Sequence, residues 1–352
     1  MGKKTMLLSV LVTASGLQSQ QPSTMNRLFM DQQEAMHRLA LEQQEALCGL
    51  ERELCVPKAV SSAPSKVKKG TGFGGVTVSS AERVTSARAK ALAKDGVLKI
   101  EGALRRETAL MLKSAVEDEI LEAREAVKEK PERSMSRFHA VEEQKLRSFV
   151  LLPLSKDPFV VASRELLGTG SPLGDLYEKL CGPEAILYDF YGLRTEPGSF
   201  RQPIHSDTPF QKTPPLFASF IALHDVTIDM GPTHFFPGTH TNTEPFHLSQ
   251  GDTRKKKPHY ALLRAGDLVI FDMRIQHFGA ANDPLRGQTR IFLNLTFRNP
   301  LADASDLGHV PCIRPGFVDE LNLQSIRTHL NKDQPFANVG DGLPSSLELH
   351  HT

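Results

Sequence analysis

The chain of 352 residues has no tryptophan, four tyrosines and four cysteines. Cys48, Cys55, Cys181 and Cys312 form no C-x-x-C pair, and only the first two lie near each other. At this length that pattern excludes a disulfide-stapled scaffold and leaves the cysteines as free thiols. An excess of charge is also missing. Lys and Arg number 42 against 41 Asp and Glu, a net charge of +1. Nothing in that balance steers the chain to nucleic acid or to an anionic membrane. Long apolar runs are absent as well. The stretch Met6 to Val12 is too short to span a bilayer, so no stable membrane insertion is expected. Lys3 and Lys4 precede that stretch, and Thr13 to Gly16 are small residues. This is the outline of a secretory or organellar leader over residues 1–20; without such a leader the chain would be cytoplasmic. A phosphate-binding loop is missing too: Gly70, Gly72, Gly74 and Gly75 follow no strand and lack a G-K-[ST] ending.

What is present divides into segments. Residues 21–55 read as an amphipathic helix. Within 25–55 a run of Gln, Glu and Ala recurs with an eleven-residue offset, and Leu28, Leu39 and Leu50 share it. Eleven residues make three helical turns, so these side chains form one apolar stripe. Such a stripe would serve self-association or docking on the main domain; the alternative is a solvated, partly ordered helix. Residues 56–82 are rich in Ser, Lys and Gly and read as a flexible linker. The globular domain is expected over 83–345. It opens with a helix to about Lys94, a turn at Asp95-Gly96 and a strand Val97–Ile100. A second helix begins near Arg106, buries Ala109, Leu112, Val116 and Ile120, and ends at Pro131. Residues 131–140 read as loop. From Phe149 onward short apolar runs occur at 149–152, 186–191, 216–226, 260–263, 268–272 and 290–297, separated by Pro, Gly, Asp and Asn. That rhythm predicts a β-sandwich or barrel rather than alternating strands and helices.

The stretch "RQPIHSDTPF" (201–210) carries the chemistry. His205 and Asp207 are two apart, and in extended backbone such residues share one face. A third ligand is expected from a later strand, and His277 in "RAGDLVIFDMRIQHFGAAN" is the candidate. Two histidines and one carboxylate on one face of an octahedral ion form the facial triad of non-haem iron(II) oxygenases, with positions left open. A bidentate 2-oxo acid and dioxygen would fit those positions. A co-substrate such as 2-oxoglutarate carries a second carboxylate, whose burial needs a cation, and arginine meets it best. Arg290, at the head of an apolar strand, is favoured over Arg286 in the Pro284–Gly287 loop.

These pieces, in order, resemble the phytanoyl-CoA dioxygenase family. "AKDGVLKIEGAL" is similar to its opening strand and helix and "PIHSD" to its H-x-D pair. "MGPTHFFPGTH" is similar to its G-P to P-G-S-H turn, and "GDLVIFDMRIQHFGAAN" to its distal-histidine strand, Asn282 included. The likeness covers about 85–300. It implies a mainly β fold with flanking helices and a double-stranded β-helix (jelly-roll) core. It implies iron(II) at His205, Asp207 and His277 as catalytic metal ligands, and 2-oxoglutarate on Arg290. Gln202, Tyr188 and Thr208 would contact the co-substrate or orient a ligand. Dioxygen is the oxidant and ascorbate an optional reductant. The implied reaction is hydroxylation of a small organic substrate, coupled to oxidative decarboxylation of 2-oxoglutarate to succinate and carbon dioxide. Relatives that halogenate lose the carboxylate ligand, so Asp207 argues for hydroxylation. There are two departures. Gly279 stands where the family often has a small hydroxyl residue, and the arginine comes slightly late. A CoA thioester does not follow, because Arg254 to Lys257 reads as a solvated loop.

Competing readings attach to other residues. Adjacent His224 and Asp225 would face opposite ways and read as structural. His234 and His240 read as shaping a pocket rim. Phe217, Phe220, Phe235, Phe236 and Phe271 would either line an apolar pocket or form ordinary core. The alternative for the whole chain is a jelly-roll binding or scaffolding protein with an idle or structural metal site.

Overall fold

The computed structural model describes residues 81–139, 146–243, 257–332, 335–336 and 341–343. The expected leader, the 21–55 helix and nearly all of the linker lie outside them. Among the described residues no helix is long and apolar enough to cross a membrane.

The chain enters through α1 (Ala81–Asp95), turns into β1 (Val97–Ile100) and continues into α2 (Arg106–Glu129). In α2 the residues Ala109, Leu112, Val116, Ile120 and Ala123 are buried at three- and four-residue spacings, one stripe of the helix. Pro131 ends it, having no N–H to continue the ladder. The segment expected as loop after it holds a short 3-10 turn at Pro131–Arg133 and the single helical turn α3 (Ser134–Arg137). Then follow β2 (Arg147–Leu151), α4 (Asp157–Leu167), α5 (Gly174–Cys181), β3 (Ile186–Thr195) and β4 (Leu216–Ala222). The chain goes on through β5 (Thr233–Phe235), β6 (His259–Tyr260), β7 (Leu268–Asp272), β8 (His277–Gly279), β9 (Arg290–Arg298) and α6 (Leu323–Leu330). The helices α4, α5 and α6 were not expected, although their buried residues recur at helical spacing, Phe159, Val160, Ala162, Ser163, Leu166 and Leu167 in α4 and Leu323, Ile326 and Leu330 in α6.

The strands form a six-stranded sheet in the order β1-β7-β4-β9-β3-β2 and a three-stranded sheet in the order β6-β5-β8. All pairs are antiparallel. The two sheets pack face to face through Phe271, Phe292, Phe235 and Ala261. The helices cover the outer face of the large sheet. This is the jelly-roll core with flanking helices that the sequence led us to expect. Alternation along β9 divides its side chains. Ile291, Leu293, Leu295 and Phe297 pack toward the helices. The other set, Arg290, Phe292, Asn294 and Thr296, faces the space between the sheets.

Phenylalanines read as one cluster are split by the same rule. Phe217 lies under the helices, Phe235 and Phe271 lie between the sheets, and Phe236 belongs to a small group with Phe278. They are core. His240 is also core rather than rim: it is buried, and its Nε2 donates to the Ala93 carbonyl at 3.1 Å. His224 is structural, its Nε2 accepting from the Ile291 N–H at 2.9 Å.

One buried ion pair ties the helical layer to the C-terminal segment. Arg314 Nη2 donates to Glu119 Oε2 at 2.8 Å, and both side chains are only 2 % exposed. Lys156 reaches the same carboxylate. Removing one partner of such a pair strands the other charge, which costs about 3–5 kcal/mol. Glu119→Ala should therefore lower unfolding free energy by roughly that amount in urea titration. A loss under about 1 kcal/mol would show that the pair contributes no more than a surface bridge.

Candidate active site

The short β8 and the stretch before it meet in an isolated antiparallel bridge between His205 and His277. His205 N–H donates to the His277 carbonyl at 3.0 Å, and His277 N–H to the His205 carbonyl at 2.8 Å. The bridge extends the small sheet by one residue pair and sets the two rings 4.5 Å apart. Asp207 is held next to them by its own N–H on the Met273 carbonyl, at 2.9 Å. His277 thus belongs to a strand of its own rather than to a loop beyond β7.

Both imidazoles are oriented by backbone. His205 Nδ1 lies 2.8 Å from the Pro203 carbonyl, and His277 Nδ1 lies 3.1 Å from the Ile275 carbonyl. A carbonyl accepts only from a protonated Nδ1, so each Nε2 carries the free lone pair when the ring is neutral. Those Nε2 atoms face Asp207, at 3.4 Å to Oδ1 from His205 and 3.5 Å to Oδ2 from His277. All three ligand atoms lie within 4.8 Å of one another. Burial disfavours the Asp207 charge, yet the adjacent His277 and His205 outweigh it and hold the carboxyl well below the usual range. Burial opposes the His205 proton too, but the Asp207 hydrogen bond and charge prevail and raise its pKa. Burial dominates at His277 and lowers it.

Across the inter-sheet space lies a row set by strand register. Arg147 of β2 pairs with Thr195 of β3, and Thr195 pairs with Arg290 of β9. Arg290 is fully buried. Its guanidinium donates to the Gly231 carbonyl, to the Met230 carbonyl at 3.3 Å and to Thr195 Oγ1 at 3.4 Å, while Nε has no partner. Arg147 Nη2 donates to the Phe200 carbonyl at 2.6 Å. Among the described residues neither arginine has a carboxylate partner. Burial pulls Arg290 down to about 9, with Arg147 adding repulsion, and pulls Arg147 down to about 10. Arg286, the alternative anchor, is 71 % exposed and bridges Asp283 and Asp229 on the surface.

Gly231, in the left-handed region at φ +65°, has space for no side chain: an added β-carbon would stand 2.4 Å from the Ala280 carbonyl oxygen. That close approach places its own carbonyl against Arg290. Gly279 is explained by Gln202. A β-carbon there would fall 2.7 Å from Gln202 Oε1 and 3.6 Å from Arg147 Nη2. Gln202 Oε1 accepts from the Gly279 N–H at 2.9 Å, so the carboxamide occupies the space that a side chain at 279 would need. Thr208 is buried and its Oγ1 has no partner. Tyr188 is placed differently from the expectation: its hydroxyl donates to the His309 carbonyl at 2.7 Å and holds that segment. Arg147 was not expected. Its only signal was a lone arginine at the head of an apolar run, easily read as a surface residue.

The residues fit a divalent ion and a dianion. Three lone-pair donors converge with their other ring atoms satisfied, and two buried cations opposite them lack an acid. The family model of phytanoyl-CoA dioxygenase (PhyH) matches residues 92–284, more than half of the chain. The chain belongs to this family. The match spans the H-x-D pair, His277 and Gln202, while Arg290 lies six residues beyond its end. No curated protein matches the chain. Among solved structures, this phytanoyl-CoA dioxygenase family member is similar to the non-heme alpha ketoglutarate dependent carbocyclase SnoK from nogalamycin biosynthesis. Identity is 20%, coverage 67% of this chain and 91% of that one, and TM-score 0.47. It is similar to AviO1 from Streptomyces viridochromogenes Tue57 at 18% identity, covering 62% and 96%, with TM-score 0.46. HygX from Streptomyces hygroscopicus, with nickel, 2-oxoglutarate and hygromycin B bound, is similar at 12% identity, covering 68% and 98%, with TM-score 0.45.

The protonation states make metal loading pH-dependent. Asp207 stays ionised through the neutral range, whereas His205 with its raised pKa holds a proton that a metal must displace. Nickel(II) affinity, measured by calorimetry, should be flat above that pKa. Below it the Kd should rise about tenfold per pH unit for each proton displaced. A Kd independent of pH between about 5.5 and 8 would contradict binding through these imidazoles.

Proposed function

We propose that this chain is a non-haem iron(II)/2-oxoglutarate-dependent dioxygenase that hydroxylates a small organic substrate. The observation that supports the reading is the pairing of a His-Asp-His cluster with two buried, acid-free arginines across one cavity wall. His205 Nε2, Asp207 and His277 Nε2 would hold the iron. When bound, iron supplies the activation of dioxygen that couples 2-oxoglutarate decarboxylation to oxidation of the substrate.

The chain's own groups do the rest. Arg290, with Arg147 beside it, neutralises the distal carboxylate of 2-oxoglutarate, offering planar N–H forks already desolvated. Because both are buried before binding, much of the cost of desolvating them is met in the folded state. Gln202, its Oε1 fixed by Gly279, leaves its amide N–H groups to donate to the co-substrate. Thr208 Oγ1 supplies a further hydroxyl. The apolar wall of Phe292, Phe271 and Phe235 excludes water from the reacting centre. The intact Asp207 supports hydroxylation over halide transfer, since it fills the position a halide would need.

Succinate release from 2-oxoglutarate by purified, iron-loaded protein tests this reading, with and without candidate substrates. Asp207→Ala should abolish it. Arg290→Ala should raise the KM for 2-oxoglutarate by at least about 30-fold, equivalent to about 2 kcal/mol, and Arg286→Ala should leave it unchanged. Equal turnover in Asp207→Ala would reject the ligand assignment. Absence of any turnover in the wild type would favour a binding or scaffolding protein.

A further inference from the structure

A second cluster of ligand-type side chains lies outside the triad. Asp189 sits on β3 beside the irregularity between Leu187 and Asp189. The segment His309–Cys312 runs along it: Phe190 N–H donates to the Cys312 carbonyl at 2.9 Å. Cys312 N–H donates to Asp189 Oδ1 at 2.8 Å, and Tyr188 holds the His309 carbonyl. One imidazole nitrogen, one sulfur and one carboxylate oxygen therefore converge within 4.8 Å of one another. Asp189 and Cys312 are buried, and His309 is half-buried.

His309 and Asp189 form an ion pair whose spacing also suits a shared metal ion. His309 Nε2 is 3.3 Å from both Asp189 oxygens. A charge-assisted N–H···O bond is typically about 2.7–2.9 Å and favours one oxygen. Two ligands about 2.0–2.1 Å from a tetrahedral zinc ion stand about 3.3 Å apart. The imidazole-to-carboxylate spacing matches one edge of such a tetrahedron, and the Cys312 sulfur lies within 4.8 Å of both ligand atoms. Charge agrees: a carboxylate and a thiolate balance a divalent cation while the imidazole stays neutral. The sulfur selects against magnesium and calcium and for zinc.

We propose that Asp189, His309 and Cys312 form a second metal site, for zinc(II), separate from the triad, which pins the 309–312 segment to β3. Zinc displaces the proton of the Cys312 thiol to solvent, and below the His309 pKa that of the imidazolium as well. Three protein ligands leave a position for water on the half-exposed side of His309. Burial, together with Asp189 and Asp207, pushes the Cys312 thiol up, so its thiolate forms only where a cation shares the site. The Tyr191 phenol lies within reach of the charges of both clusters, which places the site beside the active centre without sharing a ligand with it.

Cobalt(II) titration of metal-free Asp207→Ala protein, with the triad disabled, tests this. A near-ultraviolet thiolate-to-cobalt band should grow and saturate at one equivalent. Adding Cys312→Ser should remove it, with the fold checked by circular dichroism. His309→Gln, the alternative if Cys312→Ser fails to fold, should weaken cobalt binding by at least about tenfold. No band, a band that survives Cys312→Ser and so arises at another cysteine, or unchanged affinity in His309→Gln would overturn the proposal.

Discussion

Two guanidinium groups buried between the sheets, with no acid partner among the described residues, are the constraint on which the site depends. A buried, unpaired charge costs several kcal/mol, and Arg147 and Arg290 also repel each other. The fold meets part of that cost with backbone carbonyls of Phe200, Met230 and Gly231. The remaining capacity, including Arg290 Nε, suits a carboxylate delivered from outside. The β2-β3-β9 register sets the two arginines on either side of Thr195, so the proposed anion site is a property of the large sheet. The proposed metal ligands are a property of the small one, through the His205–His277 bridge. In the proposed reading, packing the sheets face to face turns two half-sites into one.

This division explains the glycines that frame the cavity. Gly231 brings a carbonyl to Arg290 because its backbone approaches residues 280–281 more closely than a side chain allows. Gly279 admits the carboxamide of Gln202.

The sequence revealed some of this and hid the rest, for physical reasons. His205 and Asp207 were legible because extended backbone repeats every two residues. Arg290 stood out because it follows the distal histidine by thirteen residues at the head of an apolar strand, which fixes where its guanidinium points. The strands of the large sheet were legible as apolar runs. Arg147 was not, because only its register with Thr195, set by tertiary pairing, turns it into the cavity. Helices α4, α5 and α6 keep helical spacing but were missed because, at 11, 8 and 8 residues, each carries only two or three turns of the pattern. The Asp189, His309 and Cys312 cluster was invisible: its members are far apart in the chain and meet only where the 309–312 segment is laced to β3.

The central claim is that a metal and a 2-oxo acid bind together between these two half-sites. The direct measurement is the visible absorption spectrum of the protein under anaerobic conditions, with iron(II) added first and 2-oxoglutarate second. A weak visible charge-transfer band should appear only after both are present and saturate with 2-oxoglutarate, as chelation of metal-bound keto acid requires. A spectrum that stays featureless with both in excess would contradict the account.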